Sequence, residues 1–229
     1  MIKRLVWTNR RRLLGVAVVC VALIASLVML QTSKVAEAVV LEPHIGLVGW
    51  WRFDEGTGTI TEDSSGYGND GMVYGATWVG GKYGKALSFD GTNDYVNVGN
   101  DDSLTNLSGD LTISFWINYS SGVSAWKHAM GPDINLKNVP WRLIIKEFSS
   151  NIQFLLFQGD GTNYEGAFAY YGNIIDQWTY VVITRENKVV NFFKNGDLLK
   201  TSSFSLDPIT TSADVTITFK DHPCVCDEV

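Results

Sequence analysis

The chain has 229 residues and a formal charge of −6, but residues 1–38 hold six of its 18 basic residues and one of its 24 acidic residues. Residues 39–229 therefore carry a net charge of −11. An acidic body argues against a nucleic-acid partner, because phosphate binding needs a basic face. An aromatic content of 12% with 18% charged residues argues against disorder.

The segment 1–38 has the pattern of an export signal. Residues 13–30 form an uncharged apolar run behind three arginines at 10–12, and such a basic flank stays on the cytoplasmic side. Ala36-Glu37-Ala38 is a small-x-small site of the kind that signal peptidase cleaves, whereas the apolar run is nearly long enough to span a bilayer as an anchor helix. Either way the remainder is expected outside the cytoplasm, secreted or anchored through residues 13–30.

From about residue 46, short apolar or alternating runs are separated by turns rich in Gly, Asn, Asp and Ser. Period-2 alternation is typical of half-buried strands, and no stretch here sustains the 3.6-residue period of a helix. The predicted strands are 46–53, 72–79, 86–89, 95–98, 110–118, 141–148, 152–157, 178–184, 189–194 and 215–219. They predict one all-β domain over 46–229, an antiparallel sandwich or barrel.

Residues 110–118 show the clearest alternation. The odd-numbered positions from 111 to 117 are apolar and predict a buried face. The other face carries Thr112, Ser114 and Asn118 around one aromatic residue, Trp116. This strand therefore predicts an exposed ring among polar neighbours.

Two further segments predict how the sheet is arranged. Residues 178–184 are apolar on both faces, which favours a central strand. Residues 189–194 lead into Asn195-Gly196, the dipeptide typical of a tight hairpin turn.

The cysteines exclude a disulfide framework. Cys20 lies in the apolar run, and Cys224 and Cys226 are separated by one residue. The sequence contains no paired spacing typical of a zinc site, so the domain must be stabilised by its core.

Three segments carry a resemblance to a known family: 46–71, beginning GLVGWWRFDEGTGT; 81–117, with GKYGKALSFDGTNDYVNV and DLTISFWI; and 177–196, with QWTYV and KNG. In order and spacing they resemble the laminin-G-like, concanavalin A-like lectin/glucanase jelly-roll domains of secreted bacterial and archaeal proteins. The resemblance implies two packed antiparallel sheets, one of them concave. It also implies carbohydrate or protein binding at the cell surface, often with bound calcium.

The resemblance departs from the family pattern after residue 222. The family typically closes with a strand reading roughly Asp-Glu-Val-Arg-Ile-Tyr, whereas this sequence reads Asp227-Glu228-Val229 at that point. We therefore expect the 46–229 domain to lack its last strand.

The turn 63–71 is a candidate calcium site. Asp63, Asn69 and Asp70 supply carboxylate and amide oxygens, and Asp54 ends the preceding strand. The alternative is that these residues are ordinary turn formers bonded to the local backbone. The resemblance favours Ca²⁺ and adds Asp227, because the first strand and the acid opening the last strand often lie together in the family.

A sugar site needs an aromatic platform with polar neighbours, because sugar C–H faces stack on rings while hydroxyls bond to amides and carboxylates. The candidate carbohydrate-binding residues are Trp116, Asn118, Trp126 and Trp141. The alternative for Trp116 is packing on the sheet beneath a loop.

The sequence carries no catalytic constellation. Glucanase relatives use a Glu-x-Asp-x-(x)-Glu strand, which this chain lacks, and its acids fall almost entirely in turns. We therefore expect a non-catalytic extracellular module that binds a carbohydrate or glycoconjugate with calcium support. The alternative is a structural or adhesive surface domain that binds protein.

Overall fold

The computed structural model describes residues 46–120, 127–149, 151–218 and 224–227. These residues belong to the unit Gly46–Val229. The predicted signal or anchor segment 1–38, including the apolar run 13–30, lies outside them. Within the described ranges, no helix is both long and apolar enough to cross a membrane.

The described chain consists mainly of short strands joined by turns. The strands are β1 (Ile60–Thr61), β2 (Gly71–Tyr74), β3 (Thr77–Gly80), β4 (Lys85–Phe89), β5 (Tyr95–Asn97), β6 (Leu111–Tyr119), β7 (Lys127–Pro132), β8 (Arg142–Phe148), β9 (Asn151–Gly159), β10 (Tyr164–Gly172), β11 (Trp178–Glu186), β12 (Val189–Lys194), β13 (Asp197–Ser203), β14 (Val215–Thr218) and β15 (Cys224–Asp227). The helical elements are α1 (Asp102–Thr105) and a 3-10 helix at Leu136–Asn138.

These strands form two antiparallel sheets. One has eight strands in the order β1-β2-β5-β14-β7-β8-β9-β10, and the other has seven in the order β13-β12-β11-β6-β15-β4-β3. Every pairing of these named strands is antiparallel. The predicted all-β, two-sheet jelly-roll sandwich is thus confirmed.

The core lies between the inner faces of the two sheets. Phe115 and Ile117 of β6 and Phe154 and Leu156 of β9 are fully buried in one apolar cluster. The rings of Phe115 and Phe154 meet edge to face at 5.9 Å between centroids, which joins the two sheets. Edge-to-face pairs of this kind add about 0.5–1.5 kcal/mol to the burial of their area.

The alternation predicted for 110–118 is confirmed in β6. Its odd-numbered residues are buried and its even-numbered residues are half-buried or exposed. β11 lies between β12 and β6, which confirms its predicted central position. The hairpin at Asn195-Gly196 is also confirmed, with positive φ angles of 52° and 94° that match an Asn-Gly turn.

Two strands late in chain order lie inside the sheets. β14 pairs with both β5 and β7, and β15 pairs with both β4 and β6. Residues 224–227 therefore join the strands on either side of them. The expectation that the domain lacks its last strand stays a prediction.

A buried arginine connects several loops at one end of the core. The Arg185 side chain donates to the backbone carbonyls of Leu107, Gly109 and Pro140 and to Oε1 of Gln158, at 2.7–2.9 Å. Arg185 is 3% exposed, and burial lowers the pKa of its guanidinium to about 10. Since its partners are mainly carbonyl groups, Arg185 replaces the water that those loops would otherwise bind.

Both cysteines of β15 face the core. Cys224 and Cys226 are 2% and 0% exposed, as expected for alternate residues of one strand. Burial and the neighbouring Cys226 raise the pKa of the Cys224 thiol well above its ordinary value. These thiols serve as small core residues.

Candidate functional site

Trp116 lies on the outer face of the seven-stranded sheet. It is half-buried, while its neighbours in sequence, Phe115 and Ile117, point into the core. The register of β6 and β11 places Tyr180 directly opposite Trp116. The two rings are tilted by 33° with centroids 5.1 Å apart, so they form a continuous aromatic surface across two strands.

A third ring comes from the turn between β3 and β4. Tyr83 is 61% exposed and meets Trp116 edge to face at 5.8 Å. The ammonium group of Lys82 lies 5.2 Å from the centroid of the Trp116 ring and 5.9 Å from that of Tyr83. We call Trp116, Tyr180, Tyr83 and Lys82 the Trp116 platform.

Polar positions surround the platform. Asn118 is half-buried on the same face of β6 and stands opposite Trp178 of β11. The backbone register of β15 places position 227 directly opposite Trp116. Aromatic rings therefore lie beside an amide on one outer sheet face.

The other two predicted sugar-binding tryptophans are not part of this surface. Trp141 is 3% exposed in the core, and its indole N–H donates to the carbonyl of Leu104 at 3.5 Å. This corrects its predicted placement at a binding surface, because the ring packs between the sheets. Trp126 lies outside the described residues.

Sequence reasoning missed three members of the platform. Within 178–184 the even-numbered residues share the outer face, so Trp178 and Tyr180 could have been paired with Trp116 by alternation. Because 178–184 is apolar on both faces, the sequence predicts burial of both faces instead. Lys82 and Tyr83 sit in a Gly-flanked turn, and only the pairing of β4, β15 and β6 brings that turn beside Trp116.

Asp63 organises the 63–71 loop. Its Oδ1 accepts from the backbone N–H groups of Trp50 and Ser65, and its Oδ2 accepts from the Ser65 hydroxyl and the Asn69 N–H, at 2.7–3.0 Å. Burial raises the pKa of the Asp63 carboxyl, but the hydrogen bonds from Ser65, Trp50 and Asn69 outweigh it and lower the pKa overall. Both oxygens therefore already have protein donors.

The other predicted calcium ligands also have protein partners. Asn69 is 5% exposed and its amide donates to Val48 O and Ser103 Oγ. Asp70 Oδ1 accepts from the Asp63 N–H. The Asp54 carboxylate accepts from the Lys85 N–H and pairs with Arg52.

These contacts match the turn-former alternative for Asp63 and do not assemble a cation site. Among the described residues, no group of three or more His, Cys, Asp or Glu side chains could hold a metal ion. The side chain of Asp227 lies outside the described part of the chain. The residues that the structure describes therefore do not fit calcium as placed.

The two packed antiparallel sheets define the chain as a β-sandwich of jelly-roll type. A family model described as "Concanavalin A-like lectin/glucanases superfamily" matches residues 90–222. The chain belongs to this superfamily, as its sequence motifs indicate. A search of curated proteins found no match.

Several solved structures share the fold. Domain 4 of AbnA, an extracellular arabinanase from Geobacillus stearothermophilus in complex with arabinotriose, is 17% identical with a TM-score of 0.59, over 79% of this chain and 89% of that one. Botulinum neurotoxin type C, whose cell entry depends on interaction with two ganglioside molecules, is 18% identical with a TM-score of 0.58. That match covers 79% of this chain and 46% of the toxin chain, so this chain spans about half the toxin chain's length.

A third similar structure is the conserved carbohydrate esterase of the Shiga toxin-encoding bacteriophage phi24B. It is 16% identical with a TM-score of 0.51, over 79% of this chain and 95% of that one. At such identities the three likenesses establish the shared fold.

Proposed function

We propose that the chain is a non-catalytic module outside the cytoplasm that binds a carbohydrate or glycoconjugate through the Trp116 platform. The observation that carries the proposal is the contact of three rings, Trp116, Tyr180 and Tyr83, on an outer sheet face with one ring 61% exposed. Rings gathered at a surface lose contact with water when a sugar C–H face covers them. The domain of AbnA in complex with arabinotriose supports this, since it shares the fold.

The platform also supplies polar recognition. The Lys82 ammonium lies over the rings and can donate to sugar oxygens, while the Asn118 amide can both donate and accept. Hydrogen bonds from such groups orient a saccharide that the rings hold by contact. The specificity for one sugar over another therefore depends on these polar groups, because the rings contact most sugars in a similar way.

A glycan array read with the full chain tests the proposal. We expect the array to identify glycans that the chain binds. Trp116→Ala should lower the affinity for these glycans roughly tenfold or more, because a stacked ring contributes about 1.4 kcal/mol or more. Phe148→Ala is the matched control, since Phe148 is 62% exposed and lies outside the platform. Glycan binding that survives Trp116→Ala would contradict the platform assignment.

The non-catalytic part of the proposal is supported by how the carboxylates are used. Asp63 holds its loop, and Asp90 and Asp160 accept backbone N–H groups within their own turns. Carboxylates with such structural partners are poorly placed for acid–base work on a bound sugar. Incubation with bound glycans should release no products; release that stops on Trp116→Ala would make the chain an enzyme.

An adhesive domain that binds protein is the second candidate. β10 is an edge strand whose outer face presents Phe168, 37% exposed, and Tyr170, 52% exposed, with ring centroids 5.8 Å apart. Aromatic side chains of this kind are enriched in protein interfaces. An array without hits, together with cell-surface protein binding that fails on Phe168→Ala, would favour this candidate.

Calcium support is the part of the proposal that rests on the family resemblance alone. The described oxygens of Asp63 are already bonded to protein donors, and Asp54 is paired with Arg52. Stabilisation by Ca²⁺ would therefore require an ion held by Asp70 together with oxygen ligands that the described residues do not place beside it. Thermal unfolding with and without Ca²⁺ decides this part separately from glycan binding.

A further inference from the structure

A cavity opens on the other sheet from the Trp116 platform. It lies where β1, β2 and β5 meet the turns that follow Tyr67 and Asn97, at the edge of the eight-stranded sheet. Its volume is about 440 Å³, which falls in the roughly 300–1,000 Å³ range of small-molecule sites. We call it the Tyr67 pocket.

The pocket combines apolar and polar walls. Tyr67 is 58% exposed and Met72 is 41% exposed, so a ring and a thioether chain are available to a ligand. Asp70, Asn100 and Asp101 supply oxygens and an amide around them. An aromatic wall beside convergent hydrogen-bonding groups is the lining that suits a sugar ring.

The polar groups are held in place by the surrounding protein. Asn97 donates to Asp214 Oδ2 and accepts from the Gly99 N–H, both at 2.9 Å. The Asn100 amide donates to the carbonyl of Ser212 at 3.1 Å. A ligand would therefore meet a lining that is already ordered, which reduces the entropy lost on binding.

The charge of the lining selects among ligands. Both charged side chains that line the pocket, Asp70 and Asp101, are carboxylates. The hydrogen bond from the Ser103 N–H holds the pKa of Asp101 below its usual range, so Asp101 is ionised at neutral pH. Carboxylates accept strongly from sugar hydroxyls and repel phosphate, sulfate and uronate groups.

We propose that the Tyr67 pocket is a second binding site, which takes a neutral saccharide unit with its ring against Tyr67 and its hydroxyls on Asp70 and Asp101. The pocket and the platform lie on different sheets, so the domain would hold two saccharide units at separate surfaces. This proposal stands on the pocket's own lining and does not depend on the Trp116 platform.

Saturation-transfer NMR on the full chain tests the proposal with two matched pairs of probes. These are the methyl glycosides of galactose and galacturonic acid, and of glucose and glucuronic acid. At least one neutral glycoside should bind, and its uronate partner should bind roughly tenfold more weakly or not at all. The probes are read on the chain that carries Trp116→Ala, so that the platform with its Lys82 ammonium does not contribute to the signal. Equal binding of a neutral glycoside and its uronate, or no binding of any probe, then overturns the proposal.

Variants locate the bound probe. Tyr67→Ala should lower the affinity for the probe roughly tenfold or more, whereas Tyr67→Phe should keep that affinity. Tyr164→Ala is the control, since Tyr164 is a tyrosine outside the pocket that is 51% exposed. Trp116→Ala should leave this binding intact, which separates the pocket from the platform. A signal lost on Trp116→Ala and kept on Tyr67→Ala overturns the pocket and leaves the platform standing.

Discussion

The substitution Asp63→Asn distinguishes a loop organiser from a calcium ligand. In the structure the carboxylate accepts four hydrogen bonds, two at each oxygen. The amide keeps one acceptor oxygen, and the Ser65 hydroxyl can turn to accept from its N–H group. The bond from the Asn69 N–H is lost, because an N–H group then faces it. The variant should therefore be less stable even in the presence of a chelator.

The size of the effect follows from the lost bond and from the charge removed from the other three. A hydrogen bond to a charged group contributes about 1.5–3 kcal/mol, and each bond that becomes neutral is weakened by roughly 1 kcal/mol. Partial exposure of Asp63 to solvent reduces this to about 2–3 kcal/mol. For a domain of this size the melting temperature should fall by about 5–10 °C.

Urea unfolding followed by tryptophan fluorescence measures this difference, since Trp51 and Trp141 are buried in the core and become exposed on unfolding. Asp160→Asn is the matched control: Asp160 also accepts two backbone N–H groups in its turn, but both at Oδ1, an acceptor that the amide keeps, so its replacement should change little. If Asp63→Asn is no worse than Asp160→Asn with chelator present, but abolishes stabilisation by Ca²⁺, the reasoning is refuted.

The same carboxylate predicts a pH dependence. Its folded pKa lies below the ordinary value of 3.8, so its contribution to stability is complete above that pH. The contribution is lost as the pH falls through the folded pKa, because the unfolded state then binds more protons. The stability of the wild type should fall in this acid range more steeply than that of Asp63→Asn.

Two further outcomes are expected, and a third measurement decides calcium support. Arg185→Met should lower the free energy of unfolding by at least about 3 kcal/mol, because several buried carbonyls and Gln158 lose their donor at about 1–3 kcal/mol each; a urea titration that shows less than about 1 kcal/mol would contradict this assignment. The Cys224 and Cys226 thiols should react with a thiol reagent only as fast as the domain opens, since both are buried, and rapid native labelling would show that β15 is loosely held. Calcium support predicts a melting temperature that rises with Ca²⁺ and falls with chelator; an unchanged value would remove the metal assignment.

Local patterns predicted most strands of the fold, but 46–53 is not a strand, 72–79 is divided into β2 and β3, and β7 and β10 were not predicted. The alternation in 110–118 and the Asn195-Gly196 turn are properties of neighbouring residues, and both match the structure. Pairings between distant strands leave no such local pattern. The approach of Tyr83 to Trp116 depends on β15 lying between β4 and β6, which no periodicity reveals.

The site residues likewise could be predicted where they depend on a local pattern and not where they depend on contacts between distant segments. Trp116 could be placed on an outer face because its strand alternates, whereas Trp141 looked equally suitable and is buried. Trp141 is buried between the sheets, and its indole N–H donates to the carbonyl of Leu104, which lies far from it in sequence. The Tyr67 pocket likewise joins two turns that the sequence separates by about thirty residues.

The position of β14 and β15 also governs how the domain can fold. Before β14 and β15 join the sheets, β5 and β7 in one sheet and β4 and β6 in the other each have an unpaired edge. Pairings so distant in sequence form slowly, and open edges in the meantime invite association between chains. We therefore expect that keeping newly made chains apart until these two short strands insert raises the yield of folded protein.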